Sequence, residues 1–491
     1  MTMLCPILPF DPQETLTSYA DRLSMFHIGR GMARLLRDNG INHEHFVSGR
    51  IDAVSQFAEA TGLDVDILRR NSVRVLQRSA EFRGTMTSKS FLLTQAKRYC
   101  PACLLEDGGP TDWKFRLLWW FRHVHRCDLH GVWLEPTAKA SANCLRVALN
   151  ETPLTSASPA PYETPSYLSW LRDRVHGDQT EDASWLESQT LEQVLAASEM
   201  LGGVLQHGHK VKLSMLSPAD LEEATDVGFS IYSEGPKAVS EALDTLRQTS
   251  PATAVQAGPL AYYGKLYDWL DRRCNMTDPG PIRDILRDHI LRHSVIEPGT
   301  VLLDLEITER RAHTLETLSS AAGVERRRLA RILKQLGQIP TDADEVQSGQ
   351  MIFQAETILP LIDAFNTAIP MQEVPDYIGA SKSQFMTLYR AGVLRPLIPK
   401  SSRGSVRNIV FGRADLDRFL ERITALPVAN SQTSESHHSI AYACQRGAGS
   451  FERLFSEIFT ENIPAFRDPK KSGVQSILVD VQPLIALKTA A

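Results

Sequence analysis

The feature that most restricts how this chain folds is Cys100-Pro101-Ala102-Cys103, followed by Cys127-Asp128-Leu129-His130. Each pair holds two metal-ligand residue types with two residues between them. That spacing lets one turn present two donors to a single ion, and a second turn completes a tetrahedral shell. Between the pairs, Trp113, Trp119 and Trp120 are interleaved with Lys114, Arg116, Arg122, His123, His125 and Arg126. Two other readings of the cysteines exist. Buried thiols occur in cytosolic proteins without any metal. A zinc deaminase also uses P-C-x-x-C, but it needs an H-x-E whose carboxylate moves the proton. The nearby His43-Glu44-His45 has the wrong spacing for that motif. Four protein donors also leave no position for an activated water. The expectation is a structural zinc held by Cys100, Cys103, Cys127 and His130 in a nucleic-acid-associated module, not an enzyme.

At 491 residues the chain is long enough for about three domains, or more if they are small. No run approaches the ~20 apolar residues of a membrane span. Met1 to Phe10 lacks the charged-then-apolar layout of a signal peptide. The seven cysteines include the scattered Cys5, Cys144, Cys274 and Cys444, which suggest no disulfide framework. A reduced, cytoplasmic protein without a membrane partner is expected. The net charge of −5 conceals strong segregation. Arg69 to Arg98 holds eight cations against Glu81, and Tyr377 to Ala414 holds seven with no acid. Over a Debye length, local potential governs phosphate attraction.

The spacing predicts a helix near Glu14–Leu23 with Leu16, Tyr19, Ala20 and Leu23 on one face. A longer helix, Asp64 to Arg78, would set Arg70, Arg74 and Arg78 in one stripe. Such a stripe is usually a solvated face, but its position before the cysteines suits a phosphate-facing role. Residues 1–149 form the first module, and the Pro/Ser/Thr-rich 150–165 a linker. Residues 166–300 read as a helical scaffold punctuated by glycine and proline, with segments such as Thr190–Leu201, Pro218–Val227 and Gly264–Leu270.

Residues 301–345 contain two short helices around Ala322-Gly323-Val324, the plan of a helix-turn-helix. The second helix turns Arg326, Arg327, Arg328, Arg331 and Lys334 outward, and an ordinary helical hairpin is the alternative. Residues 346–426 repeat the plan, with a turn at Gly379-Ala380-Ser381 and a helix from Lys382 to Ala391. A hairpin over Leu397–Phe411 follows, with Lys400, Arg403 and Arg407 at its tip, and then a helix at Ala414–Thr424. That is the winged form, in which the second helix enters the major groove and the tip grips backbone. Lys382 and Arg390 would join the phosphate contacts, while Ser381, Gln384 and Arg327 would reach base edges. Residues 427–438 read as a second linker. Residues 439–491 read as a small module compatible with the same plan, with a helix at Ser450–Phe459 and a strand at Ser476–Val481. The expected fold is mainly α and multidomain: a zinc-finger-containing N-terminal module, a helical scaffold, and tandem helix-turn-helix and winged-helix domains.

These residues resemble the TniQ family of transposon target-site proteins. The opening Leu8-Pro9, Glu14-Thr15-Leu16-Thr17-Ser18-Tyr19 and Arg22-Leu23 is similar to the family's start. Tyr99 to Asp107, Trp119 and Cys127 to Gly131 are similar to its zinc signature. Val227-Gly228-Phe229, Gly235-Pro236 and Gly280 to Leu286 resemble its longer, TnsD-like members. The resemblance implies a helix-turn-helix near the N-terminus, zinc on the four residues above, and no catalytic residues. It also implies an adaptor that binds double-stranded DNA and recruits an AAA+ ATPase regulator and a transposase. Some relatives dock as dimers on RNA-guided complexes, so a homodimer is compatible with it. Two readings compete with the adaptor: a zinc-containing transcriptional regulator, and a protein-interaction hub whose helix-turn-helix units do not touch DNA.

Overall fold

Thr15 starts the first helix, α1 (Leu16–Ile28), by accepting the Ser18 N–H on its hydroxyl, and Gly29 stops it in the left-handed region (φ 62°). The structure is a computed structural model that describes residues 3–139, 143–150, 154–161, 163–177, 184–252, 257–273, 277–398, 409–430, 437–460 and 462–489. It is mainly α-helical with small sheets. Two units divide the chain: residues 1–290 with 300–306, and residues 291–299 with 307–491.

In the first unit, Leu16, Tyr19, Ala20 and Leu23 of α1 pack with α2 (Met32–Asp38), α3 (His43–Val47), α4 (Ile51–Thr61) and α5 (Val65–Arg70). Under this core, Arg22 forms a buried two-point pair with Glu14, whose carboxylate also accepts the Ser18 hydroxyl. The expected long helix from Asp64 to Arg78 is not formed. Asp64 caps α5 as a helix start should, but α5 ends at Arg70 because Asn71 turns inward. The Asn71 amide donates to the Pro12 and Glu14 carbonyls at 2.9 and 2.6 Å, and that anchor outweighs helical propensity. The chain then runs as an antiparallel sheet of β1 (Arg74–Val75), β2 (Ser79–Phe82) and β3 (Thr85–Ser88), in that order. Arg74 stands opposite Glu81 and Arg78 lies in the connecting turn, so the three arginines share no helix face.

Next come β4 (Arg98–Tyr99), α6 (Pro101–Asp107) and β5 (Glu135–Pro136), which pairs antiparallel with β4. After α7 (Leu145–Leu149), the helices are α8 (Ser166–His176), α9 (Leu191–His207), α10 (Pro218–Ser233), α11 (Pro236–Thr249), α12 (Pro259–Asp268) and α13 (Ile282–His293). Helices α9 and α10 run through the glycines that the sequence suggests as their ends. Gly202 and Gly228 mark a backbone-to-backbone crossing. A Cβ on Gly202 would lie 1.8 Å from the Ala224 carbonyl oxygen, and one on Gly228 1.9 Å from that of Ser198. Gly264 does break a helix: it has φ 54° inside α12 and lies against His209.

The cations between the two cysteine motifs fasten the first module to these helices. Arg122 pairs with Glu199 on α9, and Arg126 pairs with Glu222 on α10. Arg126 also donates to the Pro161 and Glu163 carbonyls at 2.6 and 2.9 Å. Burial pushes the Glu199 carboxyl up, but His123 and Arg122 outweigh it and hold the group at about 2.

The second unit repeats one plan three times: a strand, two helices across a tight turn, a strand that pairs back on the first, and a closing helix. The first copy is β8 (Ala312–His313), α14 (Leu315–Ala322), α15 (Arg326–Gln335), α16 (Glu345–Gln350), β9 (Phe353–Gln354) and α17 (Ala355–Asn366); β6 (Val301–Leu302) and β7 (Leu305–Glu306) are a hairpin of the first unit. The second copy is β10 (Ile369–Pro370), α18 (Val374–Tyr377), α19 (Lys382–Arg390), β11 (Val410–Phe411) and α20 (Arg413–Thr424). Ile398 bridges to Val410, adding a further strand edge. The third copy is β12 (His437–Ser439), α21 (Ile440–Gln445), α22 (Phe451–Phe459), β13 (Ala465–Arg467), β14 (Ile477–Asp480) and α23 (Val481–Thr489), with sheet order β12-β14-β13. Copies two and three share one hydrophobic core, while the first has its own around Leu318, Leu329 and Leu333.

The buried Arg126–Glu222 pair yields a stability prediction. Arg126→Ala leaves a carboxylate buried without its cation and should cost about 3–5 kcal/mol, whereas Arg126→Met with Glu222→Leu should retain most of the stability. All seven tryptophans precede residue 291. Denaturant unfolding followed by tryptophan fluorescence therefore reads the first unit.

Candidate metal centre and basic surfaces

Cys100 ends β4 and is at the same time the N-cap of α6, where its sulfur accepts the Cys103 N–H at 3.4 Å. Pro101 at the first helical position needs no hydrogen-bond acceptor, so the Cys-Pro-x-Cys order is a ready helix start. The second pair sits on a tight turn closed by Gly131 N–H to the Cys127 carbonyl at 3.0 Å, with Gly131 at φ 59°. The Cys127 N–H is held by the Val132 carbonyl at 2.8 Å.

These two turns bring the four donor atoms within 4.8 Å of one another. Cys103 Sγ is 3.5 Å from Cys127 Sγ and 3.3 Å from His130 Nδ1. Cys100 and Cys127 sulfurs are each 3.6 Å from that nitrogen. A tetrahedral zinc with bonds of about 2.3 Å to sulfur has edges of about 3.8 Å, so the cluster is compatible with zinc. The donor chemistry points the same way. A hydrogen bond from Cys103 pulls the Cys100 thiol down, while bonds to Cys100 push Cys103 and Cys127 up. Only one of the three thiols is eased toward its thiolate by its neighbours, and a bound dication would supply the charge to hold all three.

His130 Nε2 lies 2.9 Å from Glu106 Oε1. This carboxylate fixes the ring so that Nδ1 faces the sulfurs, a common arrangement behind a zinc-binding histidine. The sequence reading omits Glu106, although its position three residues after Cys103 on α6 places both on one helix face.

Several side chains of the loop between the ligand pairs are engaged within the protein. Trp119 and Trp120 are buried. Lys114 and Arg116 both bind Asp11 at 3.0 Å, and Arg116 also binds Asp107 at 2.8 Å. The other residues proposed to meet DNA fall into distinct situations. Arg70 and Arg74 line a cleft of about 780 Å³ with Arg69, Arg83 and Arg174, whereas Arg78 does not. Arg74, however, lies 3.7 Å from Glu81.

In the second unit, Glu325 caps α15, and Arg326, Arg327, Arg328 and Arg331 are exposed on its outer side. Arg327 makes only a solvent-exposed pair with Glu345 at 3.7 Å. Lys334 is engaged elsewhere, donating to the Ala343 carbonyl at 2.6 Å. On α19, Lys382 and Arg390 are exposed. Ser381 and Gln384 form a reciprocal cap: the Ser381 hydroxyl accepts the Gln384 N–H, and Gln384 Oε1 accepts the Ser381 N–H at 2.8 Å. Their first role is to start the helix. Lys400, Arg403 and Arg407 lie outside the described residues.

Two outcomes check the metal centre. Cys103→Ser should lose bound zinc and lower the thermal midpoint of the first unit. Glu106→Ala should keep zinc at high metal concentration but weaken affinity about 10–100-fold in a competition titration with a chelator.

Comparison with known families gives one match. Residues 6–134 fit the TniQ family model, and no curated protein matches the chain. The matched span holds the α1–α5 core and all four candidate ligands, so this N-terminal segment is similar to the TniQ domain.

Proposed function

We propose that this protein is a DNA-binding adaptor for transposon target-site selection, of the longer TniQ form with C-terminal helix-turn-helix modules. The TniQ match over residues 6–134 supports the transposition role, since TniQ domains are associated with target-site selection and act as adaptors rather than enzymes. The observation that carries DNA binding is α15. Four arginines stand exposed on a helix that follows a glycine turn, with Leu329, Ile332 and Leu333 anchoring its other side. A rigid helix with a cationic outer face behind a short first helix is the form that enters a major groove. Helix α19, with Lys382 and Arg390, supplies a second such element.

Under this reading, zinc on Cys100, Cys103, Cys127 and His130 is structural; when bound it supplies the positive charge that holds three thiolates together. The first unit, in which Arg122 and Arg126 lock the N-terminal module onto α9 and α10, is offered to an AAA+ ATPase regulator and transposase. The second unit reads the DNA.

Phosphate contacts release counterions, so log affinity falls linearly with log salt. Arg326→Ala, Arg328→Ala and Arg331→Ala combined should reduce that slope on duplex DNA by about three units, one per lost contact. Fluorescence anisotropy over a salt series measures it. An unchanged slope with an unchanged fold would remove α15 from the interface.

A further inference from the structure

The third copy of the repeated plan in the second unit has no role in the reading above, and its own second helix is unsuited to DNA. Helix α22 presents Glu452, Arg453, Ser456 and Glu457 on its outer side, and Arg453 is tied to Glu457 at 2.8 Å. Its other side is turned into the second copy. Phe455 stacks on Phe419 of α20 with ring centres 5.8 Å apart, and the Arg422 guanidinium lies 4.7 Å from the Phe459 ring centre.

A second contact lies beside α19. The loop between β13 and β14 crosses the turn that leads into that helix. Val474 N–H donates to the Ile378 carbonyl at 3.0 Å and Gln475 N–H to the Gly379 carbonyl at 2.9 Å. The crossing admits no side chain on either strand. A Cβ on Gly379 would lie 2.4 Å from the Ser472 carbonyl oxygen, and one on Gly473 1.9 Å from that of Ile378. Both glycines also hold positive φ, 59° in each case. The loop is therefore fixed two residues before Ser381, the cap of α19.

Just ahead of Ser472-Gly473, this loop carries Lys470 and Lys471, both exposed. Asp468 shapes the turn by accepting the Lys470 N–H at 2.9 Å. Lys471 makes a 3.6 Å pair with Asp468, and among the described residues Lys470 has no carboxylate at ion-pair distance. A single exposed pair of this kind is weak and yields readily to a phosphate.

We propose that the third copy is a phosphate grip for the second: its β13–β14 loop holds Lys470 and Lys471 on the DNA backbone beside the N-terminus of α19. The copy thus contributes cations through its loop rather than through its second helix. This inference rests on the DNA-binding reading of α19. The partner is duplex DNA, recognised by backbone charge without regard to sequence.

The test uses the full-length protein and a mixed-sequence DNA duplex, with anisotropy over a salt series and a thermal melt of each variant. Lys470→Gln with Lys471→Gln should leave the melt unchanged and reduce the salt slope by about two units. Lys237→Gln, at a highly exposed cation of the first unit, should leave the slope unchanged. If the wild type binds with a steep slope and the double variant matches it, the grip is wrong while the DNA reading of α19 stands. An equal effect from Lys237→Gln also overturns the grip, because the loss would then be general charge. Should the wild type show no salt-dependent binding, both fall together.

Discussion

Three sulfurs and an imidazole, gathered within 4.8 Å of one another, tie two distant turns of the N-terminal module together at one point. The ligand pairs sit at the two ends of one loop, so closing the cluster fixes where the loop begins and ends. Between those ends lie Arg116, Arg122 and Arg126, and each meets a carboxylate: Asp107, Glu199 and Glu222. Two of these pairs reach helices about 75 to 95 residues further along the chain. A buried ion pair needs good geometry to offset desolvation. Arg126 has it: besides Glu222, its guanidinium donates to the Pro161 and Glu163 carbonyls.

This arrangement separates two uses of arginine that look alike in sequence. In the loop between the ligand pairs, arginines interleaved with tryptophans are the expected signature of a nucleic-acid surface. There Arg116, Arg122 and Arg126 are each paired with an acid, and Trp119 and Trp120 are core. On α15 an equally dense run remains outside, because its helical period puts Leu329, Ile332 and Leu333 on the opposite face. The deciding variable is whether an acid arrives from elsewhere in the chain. Glu199 and Glu222 do so for the loop. On α15 Glu325 serves as the cap, and the ion pair found among the described residues is Arg327 with Glu345, both more than three-quarters exposed.

The same variable explains which parts of the structure were legible beforehand. The four ligands could be read because their geometry is local: two turns, each set by two intervening residues. The α1 face could be read because period 3.6 needs no information from other segments. The helix expected through Arg78 failed on Asn71, whose amide anchors the Pro12 and Glu14 carbonyls almost sixty residues away. Gly202 and Gly228 look like helix ends in the sequence because glycine has two uses. It breaks helices, and it also lets two of them touch backbone to backbone, which only the partner helix reveals. Ser381 and Gln384 were marked for base edges, yet their three-residue spacing also specifies the cap they form.

The three copies in the second unit show how one backbone plan diverges by charge. In each, the first strand pairs with the last, so the segment between the second helix and the last strand is an excursion free to vary. In the first copy that excursion folds as α16, capped by Asp344 with Glu345 beside Arg327, and is acidic. In the second it carries Lys400, Arg403 and Arg407 in sequence, outside the described residues. In the third it contains β13 and the Lys470–Lys471 loop, which docks on the turn before α19. The strands are two to four residues long, too short to register as a pattern, and the copies share few side chains. What they do share is the order of caps and turns. That order is set by backbone hydrogen bonding, which tolerates almost any outward-facing residue, so the fold is retained while each excursion takes a different charge.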